Sequence, residues 1–248
     1  MHSDTLIIIP AYNEEKTILK VITSIKEQYP DMDVAVINDG SSDNTARLAR
    51  EAGAMVLSHP FNMGYGVSLQ TGYKYAVRNH YSFLVQIDAD GQHDPEGIGT
   101  LLSLVKNGTA HIALGSRFLG PGEYQPSIYR LTGIKVFRLL LRLLSGEKIS
   151  DVTTGFQAME RKVMNVFVRD FFPCDYPDAD VIMLLSKLKF TIKEAPVRMY
   201  SSPSGKSMHR SPVRAFYYTF KMVLSMILTK LRKYSLPNRD DSSKKVEG

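Results

Sequence analysis

Phe83-Leu84-Val85-Gln86-Ile87-Asp88-Ala89-Asp90-Gly91-Gln92-His93-Asp94 decides how this chain folds. Phe83 to Ile87 is a short, nearly continuous apolar run, the pattern of a strand buried on both faces of a parallel sheet. The run ends abruptly in acid. Asp88 and Asp90 are two residues apart, so on an extended backbone they point the same way. Two carboxylates converging beyond a buried strand repel each other and call for a cation. Mg²⁺ or Mn²⁺ with oxygen ligands fits, and such an ion can also bridge to a diphosphate. Gly91 lets the backbone turn close to a ligand.

The same design recurs on either side. Thr5–Ile9, Val34–Ile37, Met55–Leu57 and His111–Leu114 read as further strands. Between them, residues 14–28, 43–51, 67–77 and 96–105 carry helical apolar spacing. Strands alternating with helices predict an α/β fold: a mostly parallel, Rossmann-like sheet flanked by helices, with right-handed crossovers. Ligands then bind beyond the carboxyl ends of the strands. Pro10-Ala11-Tyr12-Asn13-Glu14 leaves the first strand and opens a helix, whose N-terminus favours anions. Asn38-Asp39-Gly40-Ser41-Ser42-Asp43 leaves the second. There Asp39 is placed to accept from a base N–H or a ribose hydroxyl, while Asp43 caps the next helix.

Composition sets outer bounds. The 248 residues are enough for one large α/β domain. The single cysteine, Cys174, excludes an internal disulfide framework and a thiolate metal cluster. No apolar run has the length of a signal-peptide core or a membrane span, so a cytoplasmic location is expected. The net charge of +6 is segregated. Residues 1–116 hold 8 basic and 13 acidic side chains, whereas residues 187–233 hold 11 basic and 1 acidic. The acidic half suits a metal, and the basic half suits phosphate or an anionic membrane surface. No basic-aromatic RNA-binding motif and no zinc-finger spacing occurs, so nucleic acid is not an expected partner.

Taken in order, Ile-Pro-Ala-Tyr-Asn-Glu (9–14), Asn-Asp-Gly-Ser-Ser-Asp (38–43), Asn62-Met63-Gly64-Tyr65-Gly66, Asp-Ala-Asp-Gly-Gln-His-Asp (88–94) and Gly115-Ser116-Arg117-Phe118 resemble family 2 glycosyltransferases of GT-A fold. Within them the chain is most similar to the dolichyl-phosphate mannose or glucose synthase-like group, over residues 5 to about 210. The resemblance implies an inverting transfer from a nucleoside diphosphate sugar, UDP favoured and GDP the alternative. It puts Pro10, Ala11, Tyr12, Glu14, Asp39, Gly64, Asp88 and Ala89 around the nucleotide. Asp88, Asp90 and Gln92 fall around the metal and diphosphate, with Asp90 also catalytic. Arg117 and Arg130 stand where this group holds the phosphate of a polyprenyl-phosphate acceptor. Ser202-Pro203-Ser204-Gly205-Lys206-Ser207 resembles a closing loop in which Ser202 replaces the usual Arg and Lys206 supplies the charge. Asp151-Val152-Thr153-Thr154-Gly155-Phe156-Gln157 resembles the segment near sugar and acceptor, with Gln157 in place of Arg.

A phosphate acceptor is already ionised, whereas a hydroxyl acceptor on a polysaccharide or glycolipid needs a general base. Asp178 and Asp180 are the candidates for that base, with helix capping as their alternative role. A non-catalytic nucleotide-sugar-binding protein is a third reading, opposed by the intact Asp88 and Asp90. Two amphipathic basic helices complete the pattern. One has Leu131, Ile134, Phe137, Leu140, Leu141 and Leu144 as its apolar face; the other, over residues 211–234, has Phe216, Phe220, Val223, Leu224, Ile227 and Leu231. Each suits a peripheral membrane contact, a packed interface or a homodimer. Residues 1–210 read as the catalytic domain and residues 235–248 as a disordered tail.

Overall fold

The computed structural model describes residues 3–120, 128–200 and 212–234, without the side chains of 128–130 and 212–216. Lys206 and the rest of the closing-loop motif, the Arg130 side chain and the 235–248 tail lie outside that description.

One seven-stranded sheet organises the molecule. Its strands are β1 (Thr5–Ala11), β2 (Asp33–Asn38), β3 (Met55–Ser58), β4 (Phe83–Gln86), β5 (Ile112–Ser116), β6 (Gln157–Glu160) and β7 (Ile192–Pro196), in the order β3-β2-β1-β4-β6-β5-β7. β1 pairs in parallel with β2 and with β4, placing Ile8 beside Ala35 on one side and Gln86 on the other. The strand order reverses at β1, which makes its carboxyl end the natural ligand crevice. β6 runs antiparallel between β4 and β5. The remaining strand pairs are parallel, as the alternation of elements predicts.

Eight helices among the described residues cover the two faces: α1 (Ile18–Gln28), α2 (Thr45–Glu51), α3 (Tyr65–Arg78), α4 (Gly97–Lys106), α5 (Ile128–Ser145), α6 (Arg161–Phe167), α7 (Ala179–Lys187) and α8 (Pro212–Leu231). Successive residues of β1 serve opposite layers, as strand geometry requires. Ile7 and Ile9 pack with α1 and α4, whereas Leu6 and Ile8 pack with α3 and the layer of α5, α6, α7 and α8. Gly72 of α3 approaches so closely that an added Cβ would stand 2.8 Å from Ile8 Cδ1.

Each of the two basic helices packs one face into the core. In α5, Ile134, Phe137 and Leu141 are fully buried, so the apolar face read from the sequence is its core face. Val136, Leu139 and Leu143 are its exposed apolar residues instead. α8 runs along α5 and α7 and buries Met222 and Met226 in the same core cluster as Phe137. Lys187 reaches from α7 to the carbonyls of Thr229, Lys230 and Arg232, neutralising the C-terminal end of α8. The opposite side of α8 leaves Phe220, Leu224, Ile227 and Leu231 exposed, an i, i+4, i+7, i+11 stripe.

Candidate active site

The carboxyl ends of β1, β2 and β4 bring three polar loops together. β1 ends in buried Pro10 and Ala11, after which Tyr12 stands half exposed. The helix expected from Glu14 begins at Ile18, because Glu14 to Thr17 form a turn whose carbonyl at Glu14 accepts from Thr17 N and Ile18 N. Thr17 Oγ1 also donates to the Glu14 carboxylate (3.1 Å). The loop is tied to the next by Ser42 N to Asn13 Oδ1 (2.9 Å), Glu14 N to Thr45 Oγ1 (2.8 Å) and Glu15 N to Asp43 Oδ2 (3.1 Å). The N-cap of α2 is Asn44, one residue after the predicted cap, though Asp43 Oδ1 still accepts from Thr45 N (3.0 Å).

Asp39 has a task the sequence did not disclose. It is buried, and its Oδ1 accepts from His59 Nδ1 (2.7 Å) and Met63 N (2.8 Å), while Oδ2 accepts from Gly64 N (2.9 Å). The other ring nitrogen of His59 meets Thr71 Oγ1 at 2.9 Å. Asp39 therefore braces the 59–64 loop, leaving Oδ2, which takes one of these bonds, with capacity for a ligand donor. Gly40, at φ +67, lets this loop pass: a Cβ there would lie 2.5 Å from the carbonyl carbon of Phe61.

Asp88 and Asp90 follow β4 directly. Asp88 Oδ1 accepts from Tyr65 Oη (2.9 Å), and His93 Nε2 lies 3.6 Å from Oδ2. Gly155 presses against the same carboxylate, since a Cβ at that position would stand 2.5 Å from Asp88 Oδ2. Burial opposes the ionisation of Asp88, but His93, the Tyr65 hydrogen bond and the Arg117 charge outweigh it and hold Asp88 below the usual carboxylate range. Burial, and then the Asp88 charge, push Asp90 up to about 6, with Glu14 adding to the push. The cluster carries surplus negative charge, and that is what a divalent cation would relieve.

Among the described residues no three His, Cys, Asp or Glu side chains converge as a closed metal cage. The donor set fits a cation held by Asp88 and Asp90 and completed by ligand oxygens. Gln92 donates its amide N–H to Asp90 Oδ1 (2.9 Å), and its side-chain nitrogen donates to the Tyr200 carbonyl (3.3 Å). Tyr200 N donates back to the Gln92 carbonyl (2.7 Å) and its hydroxyl donates to Asp94 (2.7 Å). Thus the acidic loop is laced to the segment that leads into the closing-loop motif.

Three expected roles are corrected. Arg117 does not face an acceptor: its guanidinium is 2% exposed and makes a bidentate pair with Asp151, at 2.6 Å from both Nε and Nη2. Asp180 is buried, its Oδ1 accepting from the backbone N–H groups of Asp178 and Val181 and its Oδ2 from Ser225 Oγ (2.5 Å). Burial raises the Asp180 carboxyl above its usual range. Asp178 stands at the N-cap of α7 without a side-chain capping bond and accepts from Tyr218 Oη instead. Both carboxylates are committed to the joint between α7 and α8, not aimed at a substrate as a free base.

Comparison with known proteins agrees with this fold. The Glycosyl transferase family 2 profile matches residues 6–167. The polyprenol monophosphomannose synthase of Mycolicibacterium smegmatis is 34% identical over 167 residues, covering 64% of this chain and 63% of that protein. The UDP-N-acetylglucosamine–dolichyl-phosphate N-acetylglucosaminyltransferase of Methanococcus voltae is 26% identical over 211 residues, 77% of this chain and 84% of that one. Among solved structures, glucosyl-3-phosphoglycerate synthase from Mycobacterium tuberculosis in complex with phosphoglyceric acid superposes with a TM-score of 0.70 at 20% identity, covering 95% of this chain and 81% of that one. The same enzyme with Mn²⁺, uridine diphosphate and phosphoglyceric acid gives 0.66 at 18%, over 95% and 80%. At such identities the likeness speaks for the fold alone, which is GT-A. The profile match spans more than half of the chain, and the protein belongs to glycosyl transferase family 2 as a hexosyltransferase.

Proposed function

We propose that the protein transfers a hexosyl group, with inversion, from a UDP-sugar to a polyprenyl phosphate presented at a membrane surface. The observation that carries the donor half is the Asp88–Asp90 pair, negatively overloaded at the end of β4 beside the strand-order reversal. Tyr12, Glu14, Asp39 and Gly64 surround the nucleotide in this reading, with Pro10, Ala11 and Ala89 shaping the crevice floor. Asp88, Asp90 and Gln92 would hold Mg²⁺ or Mn²⁺, which when bound neutralises the diphosphate as it leaves.

For the acceptor, the state of Asp178 and Asp180 favours phosphate over hydroxyl. An ionised phosphate oxygen attacks without losing a proton, so no general base is required. Both candidate bases are occupied with α8. Arg130 and Lys206 remain the proposed phosphate contacts, since the Arg117 side chain is taken by Asp151. The names of two relatives, the Mycolicibacterium smegmatis and Methanococcus voltae enzymes, point to the same acceptor class.

The decisive assay offers UDP-, GDP- and dTDP-sugars with and without Mn²⁺, to a polyprenyl phosphate and to the matching polyprenol. Transfer from a UDP-sugar to the phosphate alone, lost in chelator, is the expected result. Transfer to the alcohol or to a glycan hydroxyl would return the acceptor to the hydroxyl class.

Membrane contact is the second part of the proposal. No helix of the described residues is long and apolar enough to cross a bilayer. The exposed stripe of α8, with exposed Leu139 and Leu143 on α5, suits an interfacial position on the cytoplasmic face. Sedimentation with anionic vesicles should capture the protein at low salt and release it at high salt. Salt-independent capture, or a concentration-dependent dimer without capture, would assign the stripe to another copy of the chain instead.

A further inference from the structure

Tyr65 stands between two glycines with backbone tasks of their own. Gly64 adopts φ +100 at the N-cap of α3. Gly66 donates its N–H to the Asp175 carbonyl (2.9 Å), and a Cβ there would lie 2.4 Å from the Pro173 carbonyl oxygen. The first turn of α3 is thereby pinned from both sides, and the Tyr65 ring is delivered beneath the end of β4.

A chain of hydrogen bonds then runs from the core to the acidic pair. Tyr73 Oη donates to Gln86 Oε1 (2.5 Å), Gln86 Nε2 donates to Tyr65 Oη (3.1 Å), and Tyr65 Oη donates to Asp88 Oδ1 (2.9 Å). The direction is forced at each link. An amide oxygen accepts and an amide nitrogen donates, so the Tyr65 oxygen receives Gln86 and its own proton is left for the carboxylate. Tyr73 and Gln86 are almost fully buried, so their hydroxyl and amide have no alternative partner in water.

We propose that Tyr65, backed by Gln86 and Tyr73, is the positioning residue that sets the Asp88 carboxylate for cation binding. This rests on the reading of Asp88 as a ligand of the divalent ion. By fixing Oδ1, the tyrosine fixes the carboxylate plane and hence where Oδ2 points, between His93 and Gly155. Tyr65 touches neither sugar nor nucleotide in this role; it acts through Asp88.

The test uses the full chain and two probes, Mn²⁺ and UDP. Mn²⁺ affinity in the presence of UDP is read from the electron paramagnetic resonance of the free ion, and UDP affinity in chelator is read by calorimetry. Tyr65→Phe should weaken Mn²⁺ binding at least about tenfold, the usual scale for losing a partner that orients a metal ligand. Its UDP affinity in chelator should match that of the wild type, while its melting temperature falls by a few degrees because the buried Gln86 Nε2 loses its acceptor. Tyr73→Phe should shift Mn²⁺ affinity in the same direction by less. Wild-type Mn²⁺ affinity in Tyr65→Phe would overturn the proposal. So would an equal loss of UDP affinity in chelator, which would make Tyr65 a nucleotide contact or a fold residue. Wild-type protein that binds UDP with no dependence on Mn²⁺ would remove the metal reading itself, and this inference with it.

Discussion

Asp90→Asn should abolish sugar transfer and make the protein more stable at pH 8. Loss of transfer follows if Asp90 holds the cation that neutralises the leaving diphosphate; a fall of at least about 10²-fold is the scale for removing such electrostatic support. The gain in stability follows from the carboxyl itself. Burial first and the Asp88 charge second push the Asp90 carboxyl up to about 6 in the folded protein, from an ordinary value of 3.8. Between about pH 4 and pH 6 the folded state therefore binds more protons than the unfolded one, and stability falls as pH rises through that window. Above it the penalty is complete. A shift of about two units corresponds to about 3 kcal/mol at most. Asparagine carries no such penalty, so urea midpoints of variant and wild type should coincide near pH 4 and separate by pH 8, the variant being higher. Adding Mn²⁺ on top of saturating UDP should raise the wild-type midpoint further and leave that of the UDP-bound variant unmoved. A variant that retains transfer in chelator, or one destabilised at pH 8, would refute this account of the pair.

The converging acidic pair is legible in sequence because its ingredients are local. A strand buried on both faces needs an unbroken apolar run, and the Asp-x-Asp spacing makes two side chains converge whatever surrounds them. The strands and helices of the first half follow for the same reason. Legibility failed where long-range partners decide. Gln157-Ala158-Met159-Glu160 has no β-branched residue and no alternation, yet it forms β6, because β4 and β5 both offer it a free edge. Asp39 reads as a ligand contact, and nothing in residues 38–43 announces that it also receives His59, Met63 and Gly64. Tyr65 went unremarked although its motif was quoted; an aromatic between two glycines was the available signal. For α5 the periodicity shows an apolar face, and only the fold shows that the core covers it.

Arg117 is the case in which burial reverses the expected phenotype. Arg117→Met should cost about 3–5 kcal/mol of stability, the range for breaking a buried pair and stranding one charge. Asp151 is fully buried and would lose both of its 2.6 Å bonds from the guanidinium. Asp151 would keep the longer bonds from the backbone N–H groups of Arg117 (3.2 Å) and Thr153 (3.4 Å), which carry no balancing charge. The neighbouring Glu194 carboxylate accepts from Ser150 N, Ser150 Oγ and Asp151 N, and it adds negative charge rather than removing it. Loss of the arginine would therefore loosen the joint between the end of β5, the 150–154 turn and β7. In a chain of this size the melting temperature should fall by on the order of 10 °C. Replacing both partners, Arg117→Met with Asp151→Leu, removes the stranded charge and should recover most of that loss, because a buried ion pair is worth little against apolar residues of similar volume. The phosphate-binding role makes the opposite forecast: Arg117→Met would melt like the wild type, raise the KM for the acceptor and gain nothing from the second substitution. Melting curves of the three variants separate the two roles before any substrate is added, and a wild-type melting temperature in Arg117→Met would put the arginine back among the acceptor contacts.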